Sequence, residues 1–174
     1  MKVIISVCFF LFIVFALQGQ NVKLDSTIRK NEIKINVLYF LAPMIELTYE
    51  RVLSRGASTG VRVGLGSDDY LFEFMPYYRL YYGKKPSSGF FAEISTNAFL
   101  TRQIRQVYKS NSNPEIYSTN YINWGLGIAL GKKILTKNKK NLFEIYVGIG
   151  SNLLPNNNTK PEYAIFGITY GRRF

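Results

Sequence analysis

The chain has 174 residues, with 22 Lys and Arg against 11 Asp and Glu, one cysteine and no histidine. The absence of histidine removes Ser-His-Asp chemistry, HExxH zinc sites and His-dependent lipase, acyltransferase or protease mechanisms. Cys8 lies in a segment expected to be cleaved, so disulfides, thiolate catalysis and cysteine metal sites drop out together.

Residues 1–20 read as a secretory signal. Lys2 supplies the positive start, and Val3 to Leu17 is an apolar stretch of about 15 residues with Ser6 as its one polar member, short of the roughly 20 that a membrane-spanning helix needs. Small or polar residues follow at Gln18, Gly19 and Gln20. Residues 21–31 form a polar lead-in, and the remaining length suits one domain. Removal of the signal takes away one lysine, so the mature chain keeps a net charge of about +10.

From there the pattern has period two. The first strand is expected over Glu32 to Leu41, with Ile33, Ile35, Val37, Tyr39 and Leu41 on one side and Lys34 and Asn36 on the other. Ala42-Pro43 turns into a second strand, Met44 to Leu53, with Ile45, Leu47 and Tyr49 opposing Glu46, Thr48 and Glu50. The third sets Thr59, Val61, Val63 and Leu65 against Gly60, Arg62, Gly64 and Gly66. In the fourth, Phe72, Phe74, Pro76, Tyr78, Leu80 and Tyr82 oppose Glu73, Met75, Tyr77, Arg79 and Tyr81.

The fifth strand, Phe90 to Leu100, carries Glu93, Ser95 and Asn97 on its polar row. The polar stretch 101–118, with Asn-Ser-Asn-Pro at 111–114, is expected to be the longest loop. The sixth strand alternates Ile122, Trp124, Leu126, Ile128 and Leu130 with Asn123, Gly125, Gly127, Ala129 and Gly131. The seventh alternates Phe143, Ile145, Val147 and Ile149 with Glu144, Tyr146, Gly148 and Gly150. The eighth runs from Tyr163 to Phe174, with Ala164, Phe166, Ile168, Tyr170 and Phe174 in one row and Gly167, Thr169, Gly171 and Arg173 in the other; Arg172 interrupts the apolar row.

The parity decides which row faces inward. If the apolar rows made a soluble core, Gly60, Gly64, Gly125, Gly127, Gly148 and Gly150 would face water, where strand glycine is costly. A narrow eight-stranded lumen has little space for side chains and accounts for them. The expected fold is therefore all-β: an eight-stranded antiparallel up-and-down transmembrane β-barrel spanning 32–174, in the outer membrane of a diderm bacterium, after a cleaved signal peptide.

The inward row then holds Glu46, Glu50, Arg62, Glu73, Arg79, Glu93 and Glu144, joined by Lys34 and Arg173 at its ends, and this set reads as a structural charge network filling the lumen. Paired carboxylates could also serve glycoside hydrolysis, but eight strands enclose no sugar-sized cleft. No catalytic, cofactor or metal site is expected. Gly64-Leu65-Gly66 and Gly125-Leu126-Gly127 open no helix, so neither is a phosphate cradle. Asp68-Asp69 is too sparse for a calcium site.

With the N-terminus in the periplasm, the periplasmic connections hold Arg55, Lys84, Lys85, Lys132, Lys133, Lys137, Lys139 and Lys140 without an acid. This basic rim would meet outer-membrane lipid headgroups or act as solvated turns. Nucleic acid is not an expected partner, because the charge is not interleaved with stacking aromatics on one surface.

The run from Lys34-Ile35-Asn36 through Glu46-Leu47-Thr48-Tyr49-Glu50, with Pro76-Tyr77-Tyr78-Arg79, Tyr81-Tyr82-Gly83-Lys84-Lys85-Pro86 and Gly89-Phe90-Phe91, resembles the small outer-membrane β-barrel proteins of Bacteroidota, of the OmpX and OmpW size class. The resemblance covers most of the mature chain through structural motifs and implies no catalytic residues and no established activity. Biogenesis would involve periplasmic chaperones and the outer-membrane assembly machinery, with Tyr170 and Phe174 as the barrel-closing assembly signal. The expected role is non-enzymatic, structural or surface-interacting, with an extracellular partner met through loop 101–118. The alternative is a narrow channel or transporter for small or hydrophobic solutes.

Overall fold

Successive hydrophobic-alternating segments joined by tight turns pair with their neighbours in sequence. The structure, a computed structural model, describes residues 29–41, 44–67, 70–83, 85–107, 115–153 and 162–174. The signal, most of the lead-in, Ala42-Pro43 and Asp68-Asp69 lie outside these. Eight strands are formed: β1 Asn31–Asn36, β2 Met44–Val52, β3 Ala57–Gly66, β4 Tyr70–Tyr82, β5 Gly89–Val107, β6 Glu115–Leu135, β7 Asn141–Asn152 and β8 Glu162–Arg173. Each pairs antiparallel with the next, and β1 pairs with β8 (Glu32 opposite Arg173, Lys34 opposite Gly171), which closes the barrel. At this seam the Phe174 amide donates to the Asn31 carbonyl at 2.8 Å, and the Asn31 amide donates to the Phe174 carbonyl at 3.1 Å.

Polarity is inverted relative to a soluble barrel. The outward row is apolar and accessible, with Ile128 63%, Leu130 66% and Val147 67% exposed. The inward row buries Lys34, Glu50, Arg62, Arg79 and Lys133 almost completely. Cross-strand pairs explain the inward glycines. Gly60 lies opposite Tyr77, Gly131 opposite Phe91, Gly167 opposite Tyr146 and Gly150 opposite Tyr163. A Cβ at any of these glycines would come within 2.1–2.6 Å of the facing aromatic ring or its hydroxyl. Each glycine is thus the space into which one lumen aromatic lies down across the sheet, the arrangement that aromatic rescue of strand glycine exploits.

Three expectations need correction. The first strand ends at Asn36, and Leu38–Leu41 form a 3-10 turn instead of continuing the alternation. The Asn36 side-chain oxygen accepts from the Leu38 amide at 3.2 Å, a local bond that competes with the ladder. Tyr39 then packs edge-on against Phe166 of β8, with ring centroids 5.8 Å apart. Second, the stretch 101–118 is not one long loop. β5 and β6 continue through it to the pair Val107–Glu115, so hydrogen-bonded strand replaces most of the expected irregular backbone. β4 reaches only Thr101 and β7 only Gly125, so among the described residues the segment Arg102–Val107 with Glu115–Asn120 is a two-stranded ribbon rising past its neighbours. Polar composition misled here because strand pairing is made by the backbone and does not itself require an apolar row. Third, β6 runs to Leu135, which moves Lys132 and Lys133 from the rim connection into the wall, Lys132 exposed on its outer face and Lys133 with its side chain inside.

The β2–β3, β4–β5 and β6–β7 turns share the end of the barrel at which Asn31 and Arg173 lie. The β4–β5 turn folds over the mouth there. Ser87 and Ser88 are buried, the Ser87 amide donates to the Arg55 carbonyl at 2.7 Å, and its hydroxyl donates to the Ser54 carbonyl at 3.1 Å. Ser87 has φ 42° and Gly89 φ 103°, and the latter is a conformation that glycine alone adopts readily.

Replacing Gly150 by Val should lower the stability of the refolded barrel by about 1–3 kcal/mol through overpacking against Tyr163. The same change at outward Ala164 should be close to neutral. Urea midpoints of the two variants check this, and Tyr163→Ala should recover part of the Gly150→Val loss.

Candidate functional site

Because inward residues recur every second position on each strand, neighbouring strands stack their polar side chains into layers across the lumen. The charged layers lie toward the Asn31–Arg173 end. Glu50 of β2 is their hub. It accepts from Lys34 of β1, from Lys133 of β6 at 2.6 Å, from Arg79 of β4 at 3.0 Å, and from the Tyr77 and Tyr81 hydroxyls at 2.8 Å each. Glu144 of β7 is a second hub, accepting from Lys34 at 2.8 Å and Arg79 at 2.9 Å, with Lys133 at 3.1 Å. Glu93 of β5 bridges Arg79, at 2.7 Å, and Arg62 of β3. At the barrel mouth Arg173 donates to Glu32 at 2.7 Å and to the Pro86 and Ser87 carbonyls at 3.1 and 3.0 Å, tying the β4–β5 turn to the seam.

Aromatic rings sheath the cations. The Arg62 guanidinium lies 4.7 Å from the Tyr77 ring centre and 4.6 Å from that of Tyr146. Arg79 lies 4.1 Å from Phe91, and Lys133 4.8 Å from Tyr81. Such contacts suit desolvated cations, whose attraction to a ring face strengthens when water is excluded.

Of the seven predicted lumen residues, Glu50, Arg62, Arg79, Glu93 and Glu144 are joined in one ion-paired chain. Glu46 and Glu73 share the lumen but no ion pair involves them among the described residues. Glu46 accepts instead from Asn36 and from the Tyr146 hydroxyl, each at 3.1 Å, and Glu73 accepts from Asn97 at 2.9 Å. They lie nearer the opposite end of the lumen, where neutral polar groups donate to them. Of the expected closure residues, Tyr170 faces outward with its ring 5.1 Å from Phe143, and Phe174 makes the seam bonds.

Two members were missed, Glu32 and Lys133. The parity already carried the signal, since Glu32 shares a row with Lys34 and Asn36, and Lys133 shares one with Ala129 and Gly131. The carboxylates of Glu32, Glu50 and Glu144 come within 4.8 Å of one another, a spacing a metal ion could use. The Lys34 and Lys133 ammonium groups already lie among them, and Arg79 and Arg173 pair with the same carboxylates, so the cluster carries its own cations. The same pairing leaves these carboxylates bound to cations and phenols, in the manner of structural groups.

Fold and interior together define a class, the small closed eight-stranded barrel with an ion-paired polar interior and an apolar exterior. Among solved structures the chain is similar to the crystal structure of the N-terminal β-barrel domain of Pseudomonas aeruginosa OprF, at 15% sequence identity and a TM-score of 0.48, over 84% of this chain and 98% of that one. No protein-family model matches the chain, and no curated protein matches it.

Arg79→Met should destabilise the barrel by about 3–5 kcal/mol, because it strands Glu50, Glu93 and Glu144 in a buried site. Lys139→Met, on an exposed turn, should change stability by under about 0.5 kcal/mol. Glu50→Gln, which removes the charge from a five-donor hub, should cost more than Glu73→Gln, which keeps a bond to Asn97. Denaturant midpoints of the four refolded variants rank these effects.

Proposed function

We propose that this chain is a small outer-membrane β-barrel protein, of the kind its sequence resembles in Bacteroidota, with a non-enzymatic structural or surface-interaction role. The observation that carries the reading is the inverted polarity. Outward rows of Ile, Leu, Val and Phe encircle a wall whose inward rows bury an ion-paired cluster of Glu, Lys and Arg. In water that exterior would be a contiguous apolar surface far larger than soluble monomers carry. In a bilayer it is the lipid-facing band, and closure satisfies every edge strand.

The filled lumen supports a structural role over transport. Ion pairs and aromatic rings occupy its charged half, and the β4–β5 turn covers its mouth. The β5–β6 ribbon supports surface interaction, because it presents polar strand beyond the rest of the wall. In this reading the Asn31–Arg173 end faces the periplasm, the ribbon lies outside, and Lys85, Lys137, Lys139 and Lys140 meet the inner-leaflet headgroups. Outer-membrane lipids, periplasmic chaperones and the assembly machinery are the partners of biogenesis, and Phe174 at the seam is the element the machinery reads.

Membrane fractions should contain a form whose gel mobility shifts on heating, the signature of a closed barrel, and a single mobility would contradict the proposal. Deleting Phe174 should reduce insertion while leaving secretion intact, scored by protease patterns on intact cells. Refolded wild-type protein in liposomes should pass no resolvable single-channel current. A steady conductance abolished by bulky residues at Gly125 or Gly148 would favour the transport role instead.

A further inference from the structure

Lys132 is an outward cation set among apolar residues of the exterior. On β6 the outward row reads Leu126, Ile128, Leu130, Lys132, Ile134, and Ile134 is 54% exposed, so apolar residues lie on both sides of Lys132. Its ammonium lies 5.0 Å from the Phe90 ring centre, and it forms no ion pair with a side chain among the described residues. The register sets its surroundings. Tyr82, Phe90, Lys132 and Ile145 form one row across β4 to β7. One step toward the middle of the wall, the row is Leu80, Ala92, Leu130 and Val147. One step further it is Tyr78, Ile94, Ile128 and Ile149.

Ala92 is the short side chain in this field, flanked by Leu80 and Leu130 and, along its own strand, by Phe90 and Ile94. Its shortness opens a groove of about 530 Å³ on the outer face, lined almost wholly by apolar atoms. A second groove, of about 950 Å³, adjoins it. The two share Tyr82, Ala92, Leu130 and Val147, and the second also includes Lys132. A hydrocarbon slot therefore runs up to a row that offers an ammonium group and a tyrosine hydroxyl.

We propose that this groove is a binding site for one anionic phospholipid, with its phosphate on Lys132 and Tyr82 and an acyl chain lying over Ala92 between Leu80 and Leu130. The inference rests on the membrane-barrel reading and goes beyond it by naming one seat on the lipid-facing wall. Charge complementarity selects the ligand. A lysine among apolar residues gains by snorkelling to a phosphate, and among the described residues no carboxylate pairs with it. A zwitterionic lipid would bring its own ammonium group to the same place and gain less.

The test uses the mature full-length chain refolded into phosphatidylcholine vesicles doped with phosphatidylglycerol, then extracted for native mass spectrometry. Wild-type protein should retain phosphatidylglycerol over phosphatidylcholine, and Lys132→Gln should reduce that preference roughly five-fold, the worth of one lysine at an anionic surface. Ala92→Trp should reduce total lipid retention by filling the slot, and Lys139→Gln should leave the preference unchanged. Equal retention of the two lipids by wild type, or an unchanged preference in Lys132→Gln, overturns the site while a heat-modifiable, vesicle-protected barrel still upholds the membrane reading. Failure of the wild type to insert into vesicles overturns both.

Discussion

The barrel depends on the neutralisation of Glu50 and Glu144 by Lys34, Arg79 and Lys133. These five side chains come from β1, β2, β4, β6 and β7, so one cluster ties together strands that are not neighbours in the sheet. Backbone pairing alone links each strand only to the next. Buried charges of this kind add little net stability over a well-packed apolar core, because each loses its hydration. Their effect is selective. Carboxylates left unpaired inside the wall would be so costly that only the register bringing all the partners together survives.

That requirement shapes the rest of the interior. A lumen crowded with long charged side chains has little room for aromatics standing upright, yet the cations need aromatic faces and the carboxylates need phenol donors. Glycine opposite the Tyr77 and Tyr146 rings reconciles the two demands, because these rings can lie flat across Gly60 and Gly167 while presenting their faces to Arg62. Small residues inside the wall and large apolar ones outside are consequences of the same packing problem, so the exterior is left as the place where hydrophobic bulk accumulates.

Strand number, strand order and the facing of nearly every row were legible in the sequence, because a period of two is unambiguous wherever one row is apolar. Legibility failed where that contrast fades. Val37, Tyr39 and Leu41 continue the alternation in sequence, but the Asn36 side chain captures the following backbone and diverts it into a 3-10 turn. Arg102 to Val107 is strand without an apolar row, so its composition imitates a loop. Lys133 was legible by parity, yet its position in a run of lysines suggested a solvated turn. The division of labour among the glutamates was not legible at all. Whether Glu46 meets a cation or a phenol depends on the stagger between strands far apart in sequence, which alternation does not encode.

Arg173 joins three things that form at different distances along the chain: the last strand, the first strand through Glu32, and the turn over the barrel mouth through Pro86 and Ser87. Its bond to Glu32 spans 141 residues, which is among the costliest loop closures the chain makes. Until that closure happens, the carbonyls of the covering turn lack their guanidinium donor and Glu32 lacks one of its three cations. Sealing the mouth and shutting the cylinder therefore rest on one side chain. An open sheet of eight paired strands would still gape at that mouth.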